Sequence, residues 1–224
     1  MRVATERRPH GIIGGRRIHV EEVTSTNDLA LLLAAKGAPE GWVVSAERQT
    51  RGRGRQGKSW ESAPGGLWTS VILRPSSPAS EAVLFTLIGT LAAAEAIQLC
   101  TDLRPQVHWP NDLFLQGKKL GGVLCEMRGV EGRIAFLVMG IGINVNQGRE
   151  DFPEWLRDSA TSLYMETGRT WDREVLARSL YRRLDCWYRL LEKGEGERIW
   201  CRLEDWRGGQ EEGWAALRES LRKC

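Results

Sequence analysis

The long apolar stretch at residues 80–100 constrains the fold more than any other part of this sequence. From residue 81 it reads E-A-V-L-F-T-L-I-G-T-L-A-A-A-E-A-I-Q-L-C, which places apolar side chains on nearly every side of a helix. Such a helix has to be covered all round, so we expect it to lie behind a sheet. Its small residues, Gly89, Ala92, Ala93 and Ala94, permit close packing. We assign this helix to the core.

Shorter segments on either side predict the rest of the domain. Apolar or alternating runs typical of strands occur at residues 17–23, 42–46, 67–73 and 133–145. Residues 107–126 predict a strand, a polar corner and a β-hairpin with its turn at residues 116–117. Helical spacing occurs at residues 29–35, 171–192 and 197–224. Residues 1–16 have no periodic pattern and are expected to be a flexible arm. The expected organisation is therefore this arm, one domain at residues 17–192, and a short helical segment at residues 193–224.

Composition limits the class of protein. With 224 residues, 42% hydrophobic and 27% charged, the chain can bury a sizeable core. Its net charge of +3 is low for a nucleic-acid-binding protein. The five cysteines and three histidines have no metal-ligand spacing, so we expect reduced thiols and no metal site. No apolar run reaches transmembrane length and no signal peptide is evident. These features predict a cytoplasmic protein that binds neither DNA nor membranes.

A basic, glycine-rich loop lies between two of the predicted strands. Residues 47–60 read E-R-Q-T-R-G-R-G-R-Q-G-K-S-W, so that four arginines and one lysine crowd around three glycines. Backbone amides and guanidinium groups can converge there on one anion, as in a phosphate site. A solvated basic loop or an arginine-rich nucleic-acid contact would have the same composition. Its position between buried strands favours a loop that covers a ligand.

Three further polar positions have a structural and a functional interpretation. Residues 24–28, T-S-T-N-D, either cap the following helix or also bind a polar ligand group. Lys119 either protects a sheet edge or provides a point charge to phosphate, with room made by the two glycines behind it. Asn111 and Asn144 end strands, where they serve either as turn residues or as ligand amides.

Five ordered blocks resemble the catalytic domain of biotin protein ligases. They are S-T-N-D at 25–28, G-R-G-R-x-G-x-x-W at 52–60, W-P-N-D at 109–112, K-L-G-G-V-L-x-E at 119–126 and G-I-G-I-N-V at 140–145. The resemblance covers residues 17–190 and implies an α+β fold with a mixed β-sheet backed by helices, as in the biotin/lipoate ligases. It also implies that ATP, with Mg²⁺, and biotin give biotinoyl-5′-AMP and pyrophosphate. A lysine of the biotin carboxyl carrier protein of acetyl-CoA carboxylase, or of a related carboxylase, then accepts the biotin.

The resemblance also implies roles for individual residues. The biotin site would comprise Ser25, Thr26, Asn27, Gln49, Gly52, Arg53, Gly54, Arg55, Lys119 and Gly122. The nucleotide side would comprise Trp60, Asn111, Lys119 and Asn144. Lys119, Arg53 and Arg55 would be the catalytic residues, because transfer at phosphorus needs positioning and charge neutralisation more than a nucleophilic side chain. No protein-bound metal is expected beyond the Mg²⁺ that accompanies ATP. A homodimer is a further expectation.

The sequence departs from this family's pattern at three places. His108 stands where a lysine usually precedes W-P-N-D. Residues 1–16 are too few for a helix-turn-helix domain, so we expect no DNA-binding domain and no repressor role. Residues 193–224 lack the alternating strands of the family's C-terminal SH3-like barrel and predict helix in its place. Two alternatives therefore stay open: a lipoate or octanoate transferase of the same fold, and a biotin-binding remnant or basic-loop nucleic-acid binder without ligase activity.

Overall fold

A mixed β-sheet forms the centre of the molecule, as expected. The computed structural model describes the backbone of residues 2–5, residues 11–208 and Trp214. Within these residues the sheet has nine strands in the order β1-β2-β3-β4-β8-β7-β6-β5-β9. The strands are β1 Arg2–Thr5, β2 Arg16–Val23, β3 Val43–Gln49, β4 Leu67–Leu73, β5 Gln106–His108, β6 Asp112–Leu115, β7 Lys118–Val130, β8 Arg133–Ile143 and β9 Arg207–Gly208. The β2–β3 and β5–β9 pairs are parallel and the other neighbours are antiparallel.

Helices cover both faces of this sheet. They are α1 Thr26–Ala35, α2 Ala82–Thr101, α3 Leu163–Thr167, α4 Arg173–Glu192 and α5 Gly196–Glu204. Helices α2, α4 and α5 share the larger apolar core with one face. Helix α1 packs in a smaller cluster on the other side of the sheet, against Val44, Ile72 and Val138. The core therefore lies mainly behind the sheet, and the opposite face has room beside the start of α1.

Helix α2 occupies the position that its composition predicts. It is buried between the sheet and α4, and a side chain at Gly89 would lie only 2.7 Å from the sulfur of Met139 on β8. Close approach of helix and sheet thus depends on this glycine. The segment Ala79–Thr101 is long and apolar enough to cross a membrane by length and composition, which corrects the expectation that no run reaches that length. Because 78% of its apolar window is buried in the protein, these properties are explained by its place in the core.

The start of the chain differs from the expected flexible arm. Residues Arg2–Thr5 form β1, which pairs antiparallel with β2. Ile13 is fully buried, and the backbone amides of Ile12 and Ile13 donate to the buried carboxylate of Asp185 on α4. Backbone pairing and these two hydrogen bonds need no periodic side-chain pattern, so they could not be predicted from the spacing of apolar residues.

The end of the chain agrees only in part with the helical expectation. Helix α5 is present, and its apolar face joins the same core as α2. Arg207 and Gly208, however, form the short strand β9 beside β5, which corrects the prediction that residues 193–224 are helical throughout. The edge of β5 offers backbone hydrogen bonds at that point, and the amide of Val107 donates to the carbonyl of Trp206. Trp214 is helical and buried, and the predicted helical positions Leu217 and Leu221 lie outside the described residues.

A buried carboxylate on α2 ties the last two helices to the core. Glu95 is 3% exposed and accepts hydrogen bonds from the indole nitrogen of Trp187 on α4, at 2.9 Å, and from Arg202 on α5, at 2.6 Å. A carboxylate at such a depth is tolerated because it is paired and hydrogen-bonded. Both donors would lose this acceptor if the side chain were removed.

We expect Glu95→Ala to lower the free energy of unfolding by about 2 kcal/mol, because Trp187 would lose its acceptor and Arg202 would keep only the exposed Asp205 as an anionic partner. Urea denaturation followed by tryptophan fluorescence measures this change. Glu204→Ala, which removes an exposed carboxylate from α5, is the matched control and should stay within about 0.5 kcal/mol of the unmutated protein. Equal effects of the two substitutions would contradict this role of Glu95.

Candidate functional site

An open cavity of about 320 Å³ lies on the α1 side of the sheet. The N-terminus of α1, the basic loop after β3, the corner between β5 and β6, and strands β7 and β8 surround it. It brings together most of the residues that the sequence predicted: Ser25, Thr26, Asn27, Gln49, Arg53, Gly54, Arg55, Trp60, Asn111, Lys119 and Gly122. Gly52 and Asn144 do not line it. Residues up to 117 positions apart in the chain thus meet only through the fold, counting from Ser25 to Gly142.

The floor of the cavity is a network of neutral polar side chains. The amide oxygen of Gln49 accepts from the backbone amide of Thr26, at 2.7 Å, and from its hydroxyl, at 3.0 Å. The amide nitrogen of Gln49 donates to Ser62 at 2.7 Å. Ser70 on β4 lies within hydrogen-bond distance of both Thr26, at 2.8 Å, and Asn27, at 2.6 Å. A buried network of this kind fixes each donor and acceptor for a polar, uncharged ligand group.

The first residues of α1 serve this network more than the helix itself. Ser25 is the N-cap residue and has extended backbone, but its side chain makes no capping hydrogen bond. Thr26 and Asn27 are buried and point into the floor. Of the two interpretations of residues 24–28, the geometry favours a ligand-facing role over capping alone.

Two glycines make room for this floor. A side chain at Gly140 on β8 would lie 2.2 Å from the side-chain oxygen of Asn27, so only glycine fits beneath it. A side chain at Gly52 would lie 2.4 Å from the carbonyl oxygen of Trp60 and 3.1 Å from the amide nitrogen of Gln49. Gly52 therefore shapes the site from behind although it does not line the cavity.

Arg53 is held by two carboxylates at the base of the basic loop. Its guanidinium forms ion pairs with Asp28 and with Glu126, where its distances to the two carboxylate oxygens are 2.9 and 2.8 Å. Partial burial lowers the pKa of Arg53, but hydrogen bonds to Glu126 and Asp28 outweigh it, and the net pKa is raised. Arg53 is therefore already neutralised within the protein.

Arg55 and Lys119 both line the cavity near the corner between β5 and β6. Arg55 donates to the side-chain oxygen of Asn111 at 3.0 Å, which is an uncharged partner. Lys119 lies 2.8 Å from Asp112 and 5.5 Å from the ring centre of Trp60. Asn111 donates in turn to Asp112 at 2.9 Å. This corner aims two positive charges at the cavity and holds them through neighbouring side chains.

The rim of the cavity carries an excess of positive charge. Four basic side chains line it, Arg53, Arg55, Lys58 and Lys119. Arg53 is neutralised by carboxylates outside the lining, and Asp112 offsets one of the other three. A neutral polar floor below a basic rim suits a ligand with an uncharged polar end and an anionic end. The structure therefore supports the anion-binding interpretation of the loop.

A second cleft of about 510 Å³ adjoins the cavity, and it contains Asn144. Lys58, Ser59, Trp60 and Lys119 line both spaces, and Phe114, Phe152 and Trp155 give the cleft an apolar character. Asn144 is buried and donates to the carbonyl of Thr161 at 2.9 Å. The indole nitrogen of Trp60, between the two spaces, is buried without a hydrogen-bond partner. The predicted nucleotide residues are thus divided between two connected spaces.

His108 lies outside the cavity. It ends β5, and its ring stacks on Phe114 with 4.1 Å between ring centres. Burial lowers the pKa of His108, and the nearby carboxylate of Asp112 only partly opposes this effect. The residue that replaces the usual lysine therefore has a packing role here and does not line the cavity.

Several residues of the site were not assigned a role from the sequence. Asp28, Asp112 and Glu126 are the last residues of three of the five recognised blocks, and this position could have identified them as site residues. Ser70 and Thr69 had a separate signal, since they are the two hydroxyls in the otherwise apolar, fully buried strand β4. Ser62 is a single polar residue in a loop, and nothing in its sequence context distinguishes it. Within the part of the chain that the structure describes, no three acidic, histidine or cysteine side chains are grouped closely enough to hold a metal ion.

Comparison with known proteins gives consistent similarities. Residues 19–144 match the model of the biotin/lipoate A/B protein ligase family. The bifunctional ligase/repressor BirA of Bacillus spizizenii is 41% identical over 163 residues, which are 72% of this chain and 50% of that protein. The biotin–[acetyl-CoA-carboxylase] ligase of Mycobacterium tuberculosis is 35% identical over 179 residues, 77% of this chain and 64% of that protein. The chain thus spans about half the length of the first of these relatives.

Solved structures show the same fold. The biotin protein ligase of Aquifex aeolicus in complex with biotin and ATP superimposes with a TM-score of 0.75 at 33% identity, covering 85% of this chain and 78% of that one. The biotin protein ligase of Leishmania major in complex with biotinyl-5-AMP has a TM-score of 0.69 at 24% identity, a level that speaks for the fold alone.

The lowered pKa of His108 predicts a specific pH dependence of stability. Between an unfolded-state pKa of about 6.5 and the lower folded-state pKa, the unfolded chain binds the proton more tightly, so stability falls as the pH falls through this range. His108→Gln should therefore flatten the change in stability between about pH 7 and pH 5. Urea denaturation at a series of pH values measures the slope, and a variant with the slope of the unmutated protein would contradict the prediction.

Proposed function

Because the chain belongs to the biotin/lipoate A/B protein ligase family, we propose that it is a biotin protein ligase that activates biotin with ATP and transfers it to a protein lysine. The observation that carries this proposal is the division of the cavity into a neutral polar floor and a basic rim. Biotin has the matching polarity, with an uncharged ureido ring system at one end and a carboxylate at the other. The basic residues of the rim suit both the carboxylate of biotin and the phosphate of ATP with which it reacts.

The floor suits the uncharged end of biotin. Thr26, Asn27 and Gln49 offer hydroxyl and amide groups in orientations that their mutual hydrogen bonds fix. Such preorganisation lowers the entropy cost of binding and excludes groups that cannot complete the network. Ser25 and Gly122 contribute to the walls. This assignment keeps the residues that the sequence predicted for biotin.

The rim suits the chemistry at the other end. In the first step the biotin carboxylate attacks the α-phosphorus of ATP and pyrophosphate leaves. In the second, an acceptor amine attacks the acyl carbon and AMP leaves. Negative charge accumulates on phosphate oxygens in the first step, and fixed cations stabilise it. Lys119 and Arg55 are the cations placed to do so, and Mg²⁺ arrives with ATP as part of the substrate. The apolar cleft beyond Trp60 offers space for the rest of the nucleotide.

The proposed acceptor is the biotin carboxyl carrier protein of acetyl-CoA carboxylase or of a related carboxylase. The name of the Mycobacterium tuberculosis relative, a biotin–[acetyl-CoA-carboxylase] ligase, supports this acceptor. A cytoplasmic location fits such a partner. The expected homodimer has support from β7, because β6 pairs with it only as far as Gly122. Beyond that residue no strand among those described covers the outer edge of β7, and an open edge is a template for pairing. Light scattering of the purified protein would measure its mass.

The proposed activity is tested by measuring biotin-dependent exchange of pyrophosphate into ATP. We expect exchange with biotin and none with lipoate or octanoate, since the floor is polar and those acids have no ureido group. A carrier domain added to the reaction should then become biotinylated on one lysine. Exchange driven by lipoate would favour the transferase alternative. Retention of biotin in titration calorimetry without any exchange would favour the inactive remnant.

Lys119 should contribute to adenylation and Lys118 should not. Lys119 lines the cavity, whereas Lys118 does not line it and lies near the exposed Asp158. Loss of one preorganised charge contact typically slows a reaction by ~10²–10³, and we expect Lys119→Ala to slow pyrophosphate exchange to that extent. Lys118→Ala is the matched control. If the two substitutions slowed exchange equally, the assignment of Lys119 would be wrong.

A further inference from the structure

The double ion pair of Arg53 separates this residue from the other cations of the basic loop. Arg53 contacts two carboxylates, Asp28 at the start of α1 and Glu126 on β7. A guanidinium that already has two anionic partners has little capacity to neutralise a phosphate as well. Its position also fixes the backbone beside it, since Arg53 forms a β-bridge with Ser59 across the loop. Arg53 therefore holds the base of the loop.

Glu126 connects this base to the cavity floor. The carboxylate oxygen that accepts from Arg53 at 2.8 Å also accepts from the side-chain amide of Asn27 at 2.7 Å. Asn27 is 4% exposed, and its amide oxygen accepts from Ser70 at 2.6 Å. The close approach of Gly140 leaves Asn27 no space to move toward the sheet. An uninterrupted chain of hydrogen bonds thus runs from the floor through Asn27 and Glu126 to the loop.

The rest of the loop has a different character. Its tip is a compact turn in which Gln56 and Gly57 have positive φ values of 56° and 73°, and the amide of Gly54 donates to the carbonyl of Lys58 at 2.7 Å. Gln56, Gly57 and Lys58 are exposed. Apart from the hydrogen bond between Arg55 and Asn111, these contacts of the tip are within the loop, whereas the base is bound to two other elements by ion pairs.

We propose that Glu126 is a positioning residue that couples the floor of the cavity to the basic loop through Arg53. This inference rests on the proposed function and assigns Arg53 a positioning role in place of the catalytic one that the sequence suggested. A ligand that hydrogen-bonds to Asn27 would fix the side-chain amide that donates to Glu126. The carboxylate then holds Arg53, and the loop base stays in place over the bound ligand. Loss of the charge of Glu126 should uncouple the loop base from the cavity floor.

The test compares Glu126→Gln with Glu22→Gln. Glu22 also pairs with an arginine at the start of the loop, Arg48, but that pair is exposed and its distance is 3.3 Å. Among the described residues, no side-chain hydrogen bond links this pair to the floor. Two measurements are made on the 224-residue chain: the rate at which trypsin cleaves within residues 51–58 without ligand, and the affinity for biotin by titration calorimetry. The first reports the base of the loop and the second reports the floor.

We expect Glu126→Gln to speed cleavage and to weaken biotin binding, each about tenfold, as for loss of a partly buried charged hydrogen bond. Glu22→Gln should change both less than about twofold. In addition, kcat for pyrophosphate exchange should change much less than KM for biotin, a division that general destabilisation does not produce. In biotin affinity, Arg53→Gln and the double variant should match Glu126→Gln, because the two residues act as a unit. Cleavage is compared only among variants that keep Arg53, which is itself a trypsin site.

Effects of Glu126→Gln no larger than those of Glu22→Gln, or effects that multiply in the double variant, would overturn the inference. If Glu126→Gln does not fold, Asp28→Asn removes the other, more exposed carboxylate of Arg53 and should speed cleavage by the same mechanism; unchanged cleavage would also overturn it. Failure of the proposed function has a different signature, since the unmutated protein would then bind no biotin while the difference in loop cleavage would persist.

Discussion

The need to bury α2 on all sides determines how the rest of the molecule is arranged. One side of this helix packs on the sheet through Gly89, and the remainder is covered by α4 and α5. Because these helices fill one face of the sheet, only the other face is available for a ligand. There the short helix α1 covers part of β3, β4 and β8, and its N-terminus leaves the cavity open beside it. The candidate site therefore lies on the face of the sheet opposite the main apolar core.

On that face, one buried side chain holds the site together. Asn27 contacts Ser70 on β4 and Glu126 on β7, and it lies directly above Gly140 on β8. A buried amide is costly unless its donors and acceptors are satisfied, so this network also fixes how α1 sits on the sheet. The polar floor is therefore both a recognition surface and a part of the packing. Basic side chains of the loop, which are less buried, add the charge that the reaction requires.

The sequence predicted the central strands and the long helices because their patterns are strong. Strand β4 has the predicted bounds, and α2 and α4 differ from their predicted ranges by a few residues at most. The pairing of β1 and β9 with the sheet could not be predicted, because short edge strands depend on backbone hydrogen bonds and carry no side-chain period. The motifs predicted most of the cavity lining because each block lies where the chain passes the site. These places are the start of α1, the loop after β3, the corner between β5 and β6, strand β7 and the end of β8.

The sequence by itself determined the two-sided architecture, since an apolar helix must be buried, and it determined which side chains carry charge. It also determined the polar interruption of β4 by Thr69 and Ser70. Only the tertiary structure decided which charges stay available to a ligand. Arg53 and Arg55 are two residues apart in one loop, yet Arg53 is paired with two carboxylates and Arg55 with a neutral amide. The difference arises because Asp28, Asn111 and Glu126 come from distant parts of the chain. Electrostatic partners depend on distance in space, which the order of residues does not specify.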